Sequence, residues 1–262
     1  MDVIKFENVC AGYGNEEVLH HLNLEFETGK ITVIVGPNGC GKSTLLKSLV
    51  RLNPHTTGDI FVDGLKIENY DSTSLAQKIA YLPQGKKVPD ITVKRMVLHG
   101  RFAYLNYPRR YRKQDYEMAE KAMRWVGIES LADKNLNQLS GGMQQKVYIA
   151  MALAQDTPVI LMDEPTTYLD IAYQLKLMDL AKKLADSGKA VVMILHDLTQ
   201  ALRYADEIIV MADGQILESG TPEEIYEKNI IDSTFRIQLS RVLTETGYRY
   251  FVSEPKEDEE AI

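Results

Sequence analysis

The apolar positions divide the chain into short continuous runs, alternating stretches and segments with helical spacing. Residues 31–35, 159–162 and 190–195 are continuously apolar or β-branched, the pattern of strands buried on both faces of a parallel sheet. Residues 3–9 alternate in part between apolar and polar side chains and read as an edge strand, while 59–62 and 78–82 read as further strands. Residues 207–211 and 215–217 flank Ala212-Asp213-Gly214, a hairpin signal. Helical spacing governs the remainder. A helix over 42–52 follows a glycine-rich turn, 118–126 carry apolar residues at helical intervals until Gly127, and 171–185 form a long amphipathic segment ending at Ser187-Gly188. From about 89 to 156 the pattern is mostly helical, and the chain has no internal repeat. The alternation predicts an α/β fold: a mostly parallel sheet with helices, an antiparallel β edge, and an inserted helical region between about 86 and 156.

Composition narrows the class. A chain of 262 residues with 45% hydrophobic content suits one large domain, or a core with a subdomain. No apolar run approaches the roughly 18–20 residues of a membrane span, and Met1-Asp2-Val3-Ile4-Lys5 lacks a basic-then-apolar signal pattern. The expectation is a soluble protein whose membrane role comes through a partner. Cys10 and Cys40 offer neither a disulfide framework nor zinc spacing, which fits a reducing cytosol. A formal charge of −7 argues against a general nucleic-acid binder. The tail from Ser253 onward is acidic and is expected to fray.

Three segments carry chemistry. Gly36-Pro37-Asn38-Gly39-Cys40-Gly41-Lys42-Ser43-Thr44 fits the full phosphate-loop pattern, with a buried strand before it and a helix after. Its glycines let backbone N–H groups converge on phosphate oxygens, and the helix start adds its dipole. Lys42 is placed for the β- and γ-phosphates and Ser43 for Mg²⁺. Cys40 reads as a small residue that fits the loop, since no resolving cysteine accompanies it. The run 159–162 ends in Asp163-Glu164-Pro165. Two acids at the end of a buried strand are costly unless used. Asp163 is placed to organise the Mg²⁺ shell through water, and Glu164 to act as general base on the attacking water. In Leu139-Ser140-Gly141-Gly142-Met143-Gln144-Gln145, Ser140 can cap a helix beginning near Gly142 while the glycines expose N–H groups.

Phosphate loop, mid-chain Ser-Gly-Gly and acidic strand end, in this order, resemble the ATP-binding subunit of an ABC transporter over roughly residues 1–225. The resemblance implies a P-loop NTPase core over 1–85 and 157–225, a helical subdomain over 86–156 bearing the signature, and a C-terminal extension over 226–262. Gln84, in Ala80-Tyr81-Leu82-Pro83-Gln84, then senses the γ-phosphate and metal. His196, after the apolar run 190–195, contacts the γ-phosphate. Tyr13, in Gly12-Tyr13-Gly14, stacks on adenine, and Asp170, in Thr167-Tyr168-Leu169-Asp170, couples the two nucleotide sites of a dimer. Ser140, Gly141 and Gly142 bind the γ-phosphate held by the phosphate loop of a second subunit. ATP thus meets Tyr13, the loop residues Gly36, Asn38, Gly39, Cys40, Gly41, Lys42, Ser43 and Thr44, and the partner's signature. Catalysis rests on Glu164, His196, Lys42 and Gln84, and Mg²⁺ on Ser43, Gln84 and Asp163. Met143 and Lys146 stand where glutamine and arginine are frequent, and neither disturbs the anion site.

With one phosphate loop, no fused membrane domain and a short 85–139 segment, a separate importer subunit is favoured over exporters and over translation or repair proteins. His99-Gly100-Arg101, Ala154-Gln155-Asp156, the stretch 163–172 and Ala201-Leu202-Arg203-Tyr204-Ala205-Asp206 are similar to the iron-siderophore, haem and vitamin B12 importer group. The resemblance implies a homodimer, or a pair with a near-identical subunit, at the cytoplasmic face of the membrane. It would work under a two-copy permease fed by an extracytoplasmic binding protein, with ferric chelates as cargo. Cobalamin, haem, or manganese and zinc are the alternative cargoes, and a soluble non-transport ABC ATPase is the alternative class. The stretch 101–113 interleaves Arg101, Arg109, Arg110, Arg112 and Lys113 with Tyr104, Tyr107 and Tyr111. It reads as a solvated helical face, ahead of a nucleic-acid stacking surface or a surface beside anionic lipid.

Overall fold

A computed structural model describes residues 2–53, 55–85, 88–245 and 247–255. Most of the acidic tail, 256–262, lies outside the described residues. The chain opens with β1 (Asp2–Tyr13), β2 (Glu16–Glu27), β3 (Ile31–Val35) and α1 (Lys42–Leu49). β4 (His55–Val62), β5 (Leu65–Lys66) and α2 (Ser72–Ala76) lead to β6 (Ile79–Leu82). Helices α3 (Val93–His99), α4 (Lys113–Val126) and α5 (Gly141–Gln155) follow, then β7 (Val159–Asp163), α6 (Ile171–Asp186), β8 (Ala190–Ile194) and α7 (Leu198–Tyr204). The chain continues through β9 (Glu207–Ala212), β10 (Gln215–Gly220), α8 (Pro222–Glu227), α9 (Ile230–Phe235), β11 (Gln238–Thr244) and β12 (Gly247–Ser253).

The central sheet has the order β10-β9-β3-β8-β7-β6. β9, β3, β8, β7 and β6 run parallel, and β10 pairs antiparallel with β9. Alternate side chains of β3, β7 and β8 enter two separate cores. Val33, Ile160, Met162, Val191 and Met193 join the core containing α3–α6, while Ile34, Val159, Leu161, Val192 and Ile194 join the one containing α1, β1 and β2. Burial on both faces is why these runs are continuously apolar rather than alternating.

A second, antiparallel sheet has the order β2-β1-β4-β5. The strand expected at an edge is therefore internal: β1 pairs with β2 on one side and β4 on the other. β2 left no strand signature in the sequence because its buried Leu19, Leu22 and Phe26 are spaced by three and four residues, a helical interval. Register shifts along the β1–β2 pair, with Asn8 at φ 51° and His21 at φ 52°, absorb the extra residues. The Asn8 N–H donates to Asn23 Oδ1 at 2.9 Å across this irregularity.

The stretch 101–113 is not uniformly solvated. Tyr107 is almost wholly exposed, but Arg101 is buried. The Arg101 guanidinium donates to Asp115 Oδ1 at 3.2 Å and to the carbonyls of Ala154 at 3.0 Å and Gln155 at 3.2 Å, joining α4 to the end of α5. Removing Arg101 leaves a buried carboxylate without its charge partner, holding only the Arg112 N–H, and two carbonyls without their donor. Arg101→Met is expected to lower unfolding free energy by about 3–5 kcal/mol, read from chemical denaturation.

The C-terminal hairpin β11–β12 is packed, not loose. Leu239 and Tyr250 are buried in the core that contains α3–α6, and the Tyr250 ring lies 5.6 Å from that of Tyr226 of α8, tilted by 58°. Among the described residues no helix is long and apolar enough to cross a membrane.

Candidate functional site

Parallel strands deliver their carboxyl ends to one edge of a sheet. Here that edge gathers Gly36 after β3, Gln84 after β6, Asp163 and Glu164 at the end of β7, and His196 after β8. A cleft of about 480 Å³ lies there, lined by Val18, Asn38, Gly39, Gly41, Lys42, Ser43, Thr44, Gln84, Glu164 and His196.

The phosphate loop owes its curl to Gly41, the N-cap of α1, at φ 104°. A Cβ there would sit 2.6 Å from Leu19 Cδ2, so both backbone and space exclude a side chain. Lys42 is buried and its Nζ donates to the carbonyls of Gly36 at 2.7 Å and Pro37 at 2.8 Å, bracing the loop it belongs to. Cys40 is buried beneath the loop, and burial pushes its thiol pKa up despite the Lys42 ammonium nearby. Such a thiol is a poor redox centre.

Asp163 is 1% exposed. Ser43 Oγ donates to its Oδ1 at 3.0 Å, and Tyr81 Oη donates to its Oδ2 at 3.3 Å. Burial raises the Asp163 pKa, with the two hydroxyls opposing it. Glu164 follows at φ 50°, a conformation rare outside glycine and common at functional sites. Its carboxylate accepts from Gln84 Nε2 at 2.6 Å, His196 Nε2 at 2.6 Å and Thr167 Oγ1 at 3.4 Å. An ionised carboxylate only accepts, so His196 carries its proton on Nε2. Three elements thus hold Glu164 at the cleft.

Of the predicted site residues, Tyr13, Gly36, Cys40, Ser140, Gly141, Gly142, Asp163 and Asp170 are not among those that line this cleft. Tyr13 ends β1, 45% exposed, with Lys47 Nζ of α1 lying 5.9 Å from its ring centroid. α5 starts at Gly141, one residue earlier than expected, with Ser140 at the N-cap. The Ser140 hydroxyl makes no capping bond, which corrects the capping role read from sequence. Ser140 and Gly141 are exposed at this helix start. Gly142 allows close approach: a Cβ there would lie 2.8 Å from the Tyr168 carbonyl oxygen. Gln145 Nε2 donates to the Pro165 carbonyl at 3.1 Å. Lys146 Nζ sits 3.7 Å from the Tyr173 ring centroid, a cation–π contact. Asp170 caps α6, accepting from the Tyr173 N–H at 2.9 Å. The start of α5 and the loop after Glu164 are therefore one packed unit.

Tyr81, Thr167, Val18 and Lys47 were not singled out from sequence. Tyr81 reaches Asp163 only because β6 lies beside β7, with Tyr81 paired to Leu161, an adjacency no local motif announces. The Tyr81 ring also lines a groove with Val50, Leu52, Leu75 and Ile79.

A phosphate loop, an acidic strand end and a separate glycine-opened helix start define a cassette-type P-loop ATPase. Residues 19–167 match the family described as ABC transporter, and the chain belongs to that family as an ATP-binding, ATP-hydrolysing subunit. It is 41% identical over 237 residues to the petrobactin import ATP-binding protein FpuD of Bacillus anthracis, covering 90% of this chain and 87% of that one. It is also 41% identical over 237 residues to the ferric enterobactin transport ATP-binding protein FepC of Escherichia coli strain K12, covering 90% and 88%. Among solved structures, a bacterial ABC transporter cassette reported as a dimer superposes with a TM-score of 0.74 at 33% identity, covering 84% of this chain and 98% of that one.

Proposed function

We propose that this chain energises an ABC importer for ferric-siderophore-type chelates. Two copies would work beneath a two-copy permease at the cytoplasmic face of the membrane, with an extracytoplasmic binding protein delivering cargo. The observation that carries the mechanism is the Glu164 carboxylate, held at the cleft by Gln84 and His196. The names of the two relatives support the cargo class. The dimeric cassette supports pairing.

In this reading residues 1–85 and 157–225 form the nucleotide core, 86–156 the helical subdomain and 226–262 an extension. Lys42 and the loop residues 36–44 hold ATP phosphates, and Tyr13 supplies a π-face to adenine. Glu164 takes the proton of the attacking water, and His196 and Gln84 orient that carboxylate. Ser43 Oγ and the Asp163 carboxylate, 3.0 Å apart, are hard oxygen donors of the kind Mg²⁺ takes, and Gln84 lines the same cleft as Ser43. When bound, Mg²⁺ would neutralise charge on the phosphates. Ser140 and Gly141, exposed at the start of α5, and Gly142, packed against the Tyr168 carbonyl, serve the nucleotide of the other subunit, and Asp170 fixes the adjoining loop.

The test is reconstitution with a many-helix permease encoded beside the gene. Co-purification, and ATPase activity stimulated by a ferric-chelate-loaded binding protein, are expected. Stimulation by a cobalamin- or haem-loaded binding protein alone would replace the cargo assignment. Failure to associate with any permease, together with salt-sensitive micromolar RNA binding, would favour the soluble ATPase class.

A further inference from the structure

Asp163 is enclosed, and each of its oxygens has one hydroxyl donor, Ser43 on Oδ1 and Tyr81 on Oδ2. The two donors differ in what holds them. Ser43 sits in the phosphate loop itself, on the first turn of α1. Tyr81 sits on β6, a strand of the central sheet, with its ring half-buried against the core that contains α1. The phenol is fixed on the sheet, whereas the serine belongs to the element that receives nucleotide. The carboxylate plane of Asp163 is thereby set from the sheet side.

The geometry points to Tyr81 as a positioning residue that orients the Asp163 carboxylate for a divalent cation. The inference rests on the reading of Asp163 as a metal-organising group. Without the phenol, Oδ2 loses its donor in a buried setting, and the carboxylate is held only through Oδ1 by Ser43, about a terminal torsion that is intrinsically broad.

Tyr81→Phe removes one oxygen and keeps the ring that packs. Mn²⁺ serves as the probe, its binding to the full-length protein with ADP read by electron paramagnetic resonance. Tyr81→Phe is expected to weaken Mn²⁺ binding about 3- to 20-fold and to raise the Mg²⁺ concentration for half-maximal ATPase activity in parallel. ADP affinity without metal stays at the parental value, and the nucleotide-free protein remains folded with a thermal midpoint lowered only by the loss of one buried hydrogen bond. In an Asp163→Asn background the Tyr81→Phe effect on Mn²⁺ binding is expected to vanish, which separates orientation of Asp163 from a general packing role. If Asp163→Asn weakens Mn²⁺ binding and Tyr81→Phe does not, the positioning role is overturned while the reading of Asp163 stands. If Asp163→Asn leaves Mn²⁺ binding unchanged, both are overturned.

Discussion

Glu164→Gln is expected to bind ATP as tightly as the parent chain and to hydrolyse it about 10²- to 10⁴-fold more slowly. The replacement is nearly isosteric: the amide oxygen can keep the Gln84 and Thr167 bonds, and the amide N–H can meet His196 in the tautomer with an unprotonated Nε2, so the pocket keeps its shape. It removes the ability to take a proton from water at neutral pH. Glu164 lines the cleft, while the Lys42 Nζ bonds to Gly36 and Pro37, which brace the phosphate loop, do not involve it and are untouched. Binding and chemistry therefore separate in one variant. Equilibrium nucleotide titration, steady-state phosphate release and size-exclusion chromatography with ATP check it. An ATP-stabilised dimer that does not turn over is the expected species. A variant that hydrolyses at the parental rate would sink the base assignment.

Gly142→Val carries the second large effect. The first side-chain carbon would lie 2.8 Å from the Tyr168 carbonyl oxygen, a backbone atom that cannot swing aside. Either the start of α5 or the loop between Glu164 and Asp170 must shift. The chain should still fold, because Gly142 lies at a helix start outside the two cores. ATP affinity of the isolated chain is expected to be unchanged, since the cleft does not include Gly142. Turnover should fall at least about 10²-fold, the scale of losing one aimed donor to a developing anion. Mixing tells whether the defect acts in trans. Gly142→Val keeps its phosphate loop, and Lys42→Ala keeps its α5 start, so a mixed pair contains one intact composite site and is expected to regain activity that neither variant has alone. A drop in ATP affinity of the isolated Gly142→Val chain would instead place the helix start in its own cleft.

The fold was legible where one strand does one job. β3, β7 and β8 are buried on both faces, so their sequences are continuously apolar, and their ends carry motifs that are local in sequence. β1 reads as a strand but is internal rather than at an edge, and β2 gives no strand signal, for the opposite reason. The irregular pairing places the buried residues of β2 at intervals that imitate a helix, and only its partner β1 reveals the sheet. The site divides along the same line. Lys42, Ser43, Asp163 and Glu164 stand in contiguous motifs whose chemistry their spacing expresses. Gln84 and His196 came from family likeness, and their convergence on one carboxylate depends on strand order. Tyr81 and Thr167 had no signal of their own, because their roles arise from which element happens to lie alongside.

The uncapped Ser140 hydroxyl and the exposed N-terminus of α5 have a kinetic consequence. If productive sites form only between chains, specific activity in solution is second-order in origin and falls on dilution, whatever the concentration of ATP. Tethering two copies to one assembly in the membrane plane replaces that bimolecular encounter with an effective concentration on the order of millimolar. The permease would then act as a concentrator of its own motor, and detached subunits would consume little ATP.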